Sequence, residues 1–168
     1  MGLDLLGRIR SWGEQVPDRV AHSSGNRTLS YGELLARSDA LAEYLERSLP
    51  PSDAPIALVG HKEPELLIGF LGCVKARRAY VPIDMTLPAA RVERILATAQ
   101  PALVLTPAEV AMLSTGGARP RTMTEHPDTL HDIMFTSGST GDPKGVPMTR
   151  GNLVHFLERL LAEHPEMA

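Results

Sequence analysis

The sequence predicts an α/β domain with a mostly parallel sheet flanked by helices. Short apolar runs alternate with stretches in which apolar residues recur at helical spacing, and this alternation is typical of right-handed βαβ crossovers. The chain has 168 residues, of which 43% are hydrophobic and 22% are charged. It is therefore long enough to bury one core, and its composition excludes a highly charged disordered chain.

The first predicted helix begins after Ser30. Ser30 and Glu33 have the spacing of a capping box, in which each side chain binds the other residue's backbone N–H. Pro50 and Pro51 end the helix, because proline has no N–H to donate to the helical ladder. Between these limits the apolar positions at helical spacing include Leu34, Leu41 and Leu45.

Strands and helices then alternate. Two more helices begin at Pro64 and at Pro88, since proline suits the first turn of a helix. The length and composition of the apolar runs suit buried strands of a parallel sheet. These runs are residues 56–59, 79–81 and 102–105.

Residues 106–127 interrupt this alternation. They hold three prolines and two glycines among polar residues, and their periodicity is weak beyond a possible turn of helix at residues 108–113. Segments of this composition usually run over the surface. We therefore expect residues 106–127 to form a surface connection.

Composition and charge exclude several classes of protein. The formal net charge is −3, so there is no general basic field for nucleic acid. No run of eighteen apolar residues is present, and residues 1–10 lack the pattern of a secretory signal, so we expect neither a membrane span nor secretion. The single cysteine, Cys73, excludes an internal disulfide and a multi-cysteine metal site, and we interpret it as a buried apolar residue. These features predict a cytoplasmic protein that handles small molecules, with no metal site of its own.

Residues 136–146 form the one segment with a distinctive chemical pattern. It contains three glycines, four hydroxyl side chains and one lysine. Glycines let successive N–H groups converge on phosphate oxygens, hydroxyls add donors, and Lys144 adds a positive charge. We therefore predict a phosphate loop. The predicted phosphate-binding residues are Thr136, Ser137, Gly138, Ser139, Thr140, Gly141 and Lys144.

A flexible Gly/Ser linker is the alternative interpretation of this segment. Two features favour the phosphate loop. Apolar runs at residues 133–135 and 146–148 predict strands that anchor both ends, and Pro143 stiffens the backbone before Lys144. The loop is not a Walker A motif, because that motif needs glycine directly before the lysine.

The loop is similar to the phosphate-loop signature of the adenylate-forming superfamily, which includes acyl-CoA synthetases, luciferases and nonribosomal peptide adenylation domains. Residues 29–34 resemble a segment near the amino terminus of these enzymes, and residues 74–84 with Pro88 and Arg91 resemble their second core motif. Tyr80 to Asp84 has the Tyr-Val-Pro-Ile-Asp form of the amino-acid activators. Residues 60–75 look most like the D-alanine–carrier protein ligases.

The resemblance implies that residues 1–168 are an incomplete AMP-binding domain, the amino-terminal part of the large domain of an adenylate-forming enzyme. It implies an ATP- and Mg²⁺-dependent ligase that activates an amino acid, with D-alanine as first candidate, as an acyl adenylate for the thiol of a phosphopantetheinylated carrier protein. Family enzymes carry an acidic Mg²⁺ ligand, the adenosine contacts and a catalytic lysine in later motifs. The catalytic residues are thus expected downstream of Ala168, in a missing carboxy-terminal half, and the chain alone is not expected to be catalytically complete. The alternative is a non-catalytic remnant that binds only phosphate or a partner protein.

Two features depart from the family pattern or from an ordinary surface. Arg77 stands where the second motif usually has glycine, and a left-handed turn there would cost arginine about 1 kcal/mol. We interpret Arg77 and Arg78 as a solvated helix end. A last helix from Arg150 carries a leucine stripe that needs an apolar surface to cover it, and a truncated chain would leave that stripe partly bare. The stripe consists of Leu153, Leu157, Leu160 and Leu161.

Overall fold

Six helices and seven strands form the described part of this computed structural model, which covers residues 3–116, 126–137 and 142–165. The helices are α1 (Leu5–Gln15), α2 (Tyr31–Ser48), α3 (Pro64–Lys75), α4 (Ala89–Ala99), α5 (Pro107–Leu113) and α6 (Arg150–Glu163). The strands are β1 (Val20–Ser24), β2 (Arg27–Ser30), β3 (Ile56–Gly60), β4 (Tyr80–Asp84), β5 (Leu103–Leu105), β6 (Leu130–Ser137) and β7 (Pro143–Thr149).

A five-stranded sheet in the order β5-β3-β4-β6-β7 forms the centre of the molecule. The first four strands are parallel, and only β7 runs antiparallel, paired with β6. Helices α3 and α4 make the crossovers between β3, β4 and β5. The predicted α/β class with a mostly parallel sheet is therefore confirmed.

The predicted helices begin where their start signals lie. The capping box of Ser30 and Glu33 is formed at the start of α2, Pro64 is the first residue of α3, and α4 begins directly after Pro88. Helix α1 and the hairpin β1–β2 were not predicted. The hairpin turns at Gly25 and Asn26, where Gly25 has a φ of 60°.

Side chains pack on both faces of the sheet. On one face, α2, α3 and α5 cover a cluster that we call the α2-side core, whose fully buried members include Leu41, Leu45, Ile68 and Cys73. On the other face, α4 covers the α4-side core of Ala57, Val81, Ile83 and Ile95. The interpretation of Cys73 as a buried apolar residue is confirmed, and burial raises the pKa of its thiol.

A buried ion pair joins α2 to α3. The Lys75 ammonium donates to Asp39 Oδ1 at 2.6 Å and to Ser38 Oγ at 2.7 Å. The Lys75 and Asp39 side chains are only 5% and 7% exposed, so the two opposite charges are paired in a buried position. This contact fixes the two helices relative to each other from inside the α2-side core.

The segment expected to be a surface connection begins as a helix. Thr106 and Glu109 form a capping box at the start of α5, and Val110 is fully buried in the α2-side core. Residues 107–113 thus form a helix that packs on the α2-side core through Val110, because Thr106, Pro107 and Glu109 supply a helix start. Residues 117–125 lie outside the described part of the chain.

The carboxyl end of α3 differs in part from the expected solvated end. Arg77 is exposed and has a φ of 55°, so the turn is left-handed, the case in which arginine is strained. Arg78 is only 8% exposed, and its guanidinium donates to the carbonyl oxygens of Pro50 and Ser52. The solvated-end interpretation is wrong for Arg78, because this side chain ties α3 to the connection that follows α2.

Helix α6 begins at Arg150, where the sequence predicted it. Val154 is its only buried residue, and the four leucines of its stripe are half-buried. The expectation of a partly bare stripe is therefore confirmed. Among the helices of the described residues, none is long and apolar enough to span a membrane.

Candidate phosphate-binding site

The hairpin β6–β7 carries the predicted phosphate loop at its tip. Pairing of the two strands extends to the partners Thr136 with Lys144 and Ser137 with Pro143. The strands are thus longer than predicted and include both ends of the 136–146 segment. Gly138, Ser139, Thr140 and Gly141, together with the side chain of Ser137, lie outside the described structure, so their phosphate contacts stay predictions.

Thr136 and Lys144 are held side by side by this pairing. The Thr136 hydroxyl lies 3.5 Å from the carbonyl oxygen of Lys144, and both residues are exposed. Their side chains lie on the same face of the hairpin, because cross-strand partners share a face. A hydroxyl donor and an ammonium therefore stand together at the hairpin tip, a donor set that suits phosphate oxygens.

Helix α4 contacts the far end of the loop. Arg94 of α4 lies 3.8 Å from Asp142, with side chains 52% and 82% exposed. An exposed pair of this kind contributes at most about 1 kcal/mol. Its position beside Pro143, which is buried, nevertheless connects the loop's exit to the layer that supports the sheet.

Three parallel strands end at the same edge of the sheet as the loop. His61 follows β3, Asp84 ends β4, and β6 runs into the loop after Thr136. In open α/β sheets, ligands bind outside the carboxyl ends of the strands. The hairpin tip therefore lies at the edge where a ligand of this fold class is expected.

A hydrogen-bonded network lines this edge on β3 and β4. The ring Nδ1 of His61 lies 2.9 Å from Asp84 Oδ2, and the N–H of Thr86 donates to Asp84 Oδ1 at 2.8 Å. The Thr86 N–H, together with His61, lowers the pKa of Asp84 to about 2. The backbone N–H of His61 also donates to Glu63 Oε2 at 2.7 Å and lowers the pKa of Glu63.

Sequence reasoning missed this His61–Asp84 pair. A partial signal was available, because both residues lie within three positions after runs that predict parallel strands, and the carboxyl ends of such strands meet at one edge. The runs do not show which strands are neighbours. The pair cross-links β3 and β4 beside the strand that carries Thr136. Within the described ranges, no group of three or more His, Cys, Asp or Glu side chains could hold a metal ion.

Comparison with known proteins identifies a family. The model of the AMP-binding enzyme family matches residues 9–122 and 111–167. The D-alanine–D-alanyl carrier protein ligase of Bacillus mycoides is 37% identical over 177 residues, which cover 92% of this chain and 34% of that protein. The ligase of the same name from Listeria welshimeri is 36% identical, and the match covers 97% of this chain and 36% of that ligase. The chain thus spans about a third of the length of these relatives.

Solved structures of similar fold agree with this match. A complex of VinN with L-aspartate superposes with a TM-score of 0.82 at 21% identity and covers 96% of this chain and 52% of VinN. The N-terminal subdomain of Klebsiella oxytoca NpsA, in complex with 3-hydroxyanthranilyl-AMSN, superposes with a TM-score of 0.73 at 26% identity, and the match covers 87% of this chain and 40% of that subdomain. The chain has the fold of the amino-terminal portion of such proteins.

Proposed function

The chain belongs to the AMP-binding enzyme family, and we propose that it is the amino-terminal part of an ATP-dependent ligase that activates an amino acid as an acyl adenylate. The names of its relatives support D-alanine as the acid and a carrier protein as the acceptor. Because the reaction consumes ATP, we place it in the cytoplasm. The observation that carries the proposal is the hairpin β6–β7, which holds Thr136 and Lys144 together at the carboxyl edge of the sheet.

The proposed reaction has two steps. A carboxylate oxygen of the amino acid attacks the α-phosphorus of ATP, and the bond from that phosphorus to the bridging oxygen breaks, which releases pyrophosphate. The phosphopantetheine thiol of the carrier protein, after losing its proton, then attacks the acyl carbon and displaces AMP to form a thioester. Negative charge grows on the β- and γ-phosphates in the first step, so donors placed there stabilise the transition state.

Residues of the loop supply these donors in the proposed complex. The Lys144 ammonium neutralises phosphate charge, the hydroxyls of Thr136, Ser137, Ser139 and Thr140 donate to phosphate oxygens, and the N–H groups of residues 138–141 complete the cradle. Mg²⁺ bound to ATP would supply positive charge to the leaving pyrophosphate. Since Mg²⁺ needs only one or two protein carboxylates, we assign its protein ligand to the downstream portion of the fold.

Binding of pyrophosphate or MgATP to the 168-residue chain tests the loop assignment. One lost charge-assisted hydrogen bond is worth about 1.5–3 kcal/mol, so Lys144→Ala should raise the dissociation constant roughly 10- to 100-fold by calorimetry. Arg47→Ala on α2, which also removes one exposed positive charge, is the matched control and should change it less than about twofold. Equal effects of the two variants would refute the loop assignment.

A second candidate is phosphate binding without adenylation by these 168 residues alone. This candidate is favoured because the chain matches only 34% to 36% of the length of these relatives. ATP–pyrophosphate exchange separates the two, because exchange requires the adenylate to form. We expect pyrophosphate binding with no amino-acid-dependent exchange by the chain alone, and exchange once the downstream portion is added. Exchange by the isolated chain would show that it already contains the catalytic groups.

A further inference from the structure

One face of the hairpin β6–β7 is covered and the other is open. Ile133 and Phe135 pack against the α4-side core. Met134 lies between them in the strand, so it projects from the opposite face, where it is 49% exposed. Its cross-strand partner Val146 is 41% exposed. Two large apolar side chains are thus adjacent on a sheet face that the described residues do not cover.

Helix α6 also has more apolar surface than its neighbours cover. Val154 is buried, whereas Phe156, about 200° further round the helix, is 58% exposed. Leu160, one turn after Phe156, is half-buried. Apolar side chains therefore lie on the solvent-exposed side of α6 as well as on its covered side. This pattern is typical of a helix that packs against a second partner.

The edge of the sheet is less suited to a partner than these faces. Strand β7 is the last strand in the sheet order, and it contains Pro143 and Pro147. Proline lacks an N–H and interrupts the ladder that an added strand would need. A partner would therefore cover side chains rather than extend the sheet.

We infer that the open hairpin face, formed by Met134 and Val146, and the exposed side of α6, marked by Phe156, together dock the downstream portion of the adenylate-forming fold. The chain covers 34% to 36% of its relatives, so about two-thirds of each relative must pack against or beyond the matched part. The two cores are closed among the described residues, whereas Met134, Val146 and Phe156 stay exposed beside them. The occupant is this downstream polypeptide, whether joined to the chain or separate, and the inference does not rest on nucleotide binding.

Association in trans tests the inference. The 168-residue chain is mixed with the downstream portion of the Listeria welshimeri ligase, produced as a separate polypeptide, and binding is followed by calorimetry and light scattering. The matched amino-terminal part of that ligase is the positive control that shows the downstream portion to be competent. We expect a 1:1 complex that Met134→Lys weakens at least tenfold, because the lysine would have to be desolvated at the interface.

Met112→Lys is the matched control, since Met112 is a methionine 64% exposed on α5, and it should leave affinity within twofold. Circular dichroism verifies the fold of each variant, and Val146→Lys replaces Met134→Lys if the latter does not fold. The inference is overturned if the downstream portion binds its own amino-terminal part but does not bind this chain. It is also overturned if the downstream portion binds the Met134→Lys and Met112→Lys variants with equal affinity. A dimer of the chain itself that Met134→Lys dissociates would make a second copy the occupant instead. Because no nucleotide is present, failure here leaves the phosphate-binding proposal standing.

Discussion

Helices α2 and α6 carry similar leucine patterns but differ in how fully those leucines are covered. Leu34, Leu41 and Leu45 of α2 are at most 3% exposed, because α1, α3 and α5 pack around that helix. In α6 only Val154 is buried, and its main packing partner among the described elements is β7. An amphipathic pattern thus predicts a helix and its apolar side, but coverage depends on neighbours from elsewhere in the chain.

The difference divides the molecule into two regions. The body, made of β1 to β5 and α1 to α5, closes two cores, whereas the carboxyl-terminal unit of β6, β7 and α6 contributes one face to the α4-side core. Free energy of folding should therefore be concentrated in the body. Substitutions of matched chemistry in the two regions measure this contrast.

The largest expected effect is loss of the buried charge pair in the body. Lys75→Met leaves the Asp39 carboxylate buried without its ammonium partner and should lower the free energy of unfolding by about 3–5 kcal/mol, measured by urea denaturation. Arg94→Met removes the partner of Asp142, which is 82% exposed near the hairpin tip. It should lower the free energy of unfolding by less than about 1 kcal/mol.

A double variant locates the cause. Lys75→Met combined with Asp39→Leu removes both charges, so most of the lost stability should return. If the double variant is as unstable as Lys75→Met, the loss reflects packing at Lys75 rather than an uncompensated carboxylate. If Arg94→Met costs as much as Lys75→Met, the contrast between the two regions is wrong.

Truncation of matched leucines gives the next largest effect. Leu41 is fully buried in α2, whereas Leu157 of α6 is half-buried. Leu41→Ala should destabilise the chain by about 2–5 kcal/mol, since it leaves a cavity that tight packing cannot fill. Leu157→Ala should cost about 1 kcal/mol, because water already reaches part of the side chain. Equal losses would mean that α6 is as firmly packed as α2.

Elements that depend on contacts between nearby residues could be predicted from the sequence, whereas contacts between distant residues could not. Local signals placed α2, α3 and α4, since the helix starts marked by Ser30, Pro64 and Pro88 depend on contacts within one helical turn. Gly25 and Asn26 carried a hairpin signal, but β1 and β2 are polar and short, and they were missed. The burial of Arg78 and Val110 depends on contacts distant in sequence, which a local pattern does not contain.

The candidate site divides in the same way. The sequence pattern identified Thr136 and Lys144 as phosphate-binding residues, because the loop composition and its apolar flanks are local, and this assignment stays a prediction. The structure adds that the two residues pair across β6–β7. The His61–Asp84 contact joins residues 23 positions apart through the parallel pairing of β3 and β4. Finding it requires the strand order, which the sequence alone did not supply.

Backbone strain should be relieved by a single glycine in the body. Arg77 and Gln100 are the only non-glycine residues with positive φ in the described ranges, and both follow helices of the body. Arg77→Gly should raise the free energy of unfolding by about 1 kcal/mol, because glycine has no Cβ to strain in the left-handed turn. Arg77→Ala keeps the Cβ and serves as the control for loss of the guanidinium. A gain of the same size in both variants would assign the effect to charge instead of backbone.

The smallest expected effect compares two exposed ion pairs of equal spacing. Glu43 lies 3.6 Å from Arg47 in α2, and Arg159 lies 2.9 Å from Glu163 in α6. Glu43 precedes its arginine, the favourable order, so Glu43→Gln should cost about 0.3–0.5 kcal/mol at low salt and nothing near 1 M salt. Glu163 lies in the last turn, where the helix dipole opposes a negative charge, so Glu163→Gln should be neutral despite the shorter distance. The free energy of unfolding is measured by urea denaturation at both salt concentrations. If Glu163→Gln lowers it by more than about 0.5 kcal/mol, surface charges stabilise α6, whose apolar side chains are only partly covered.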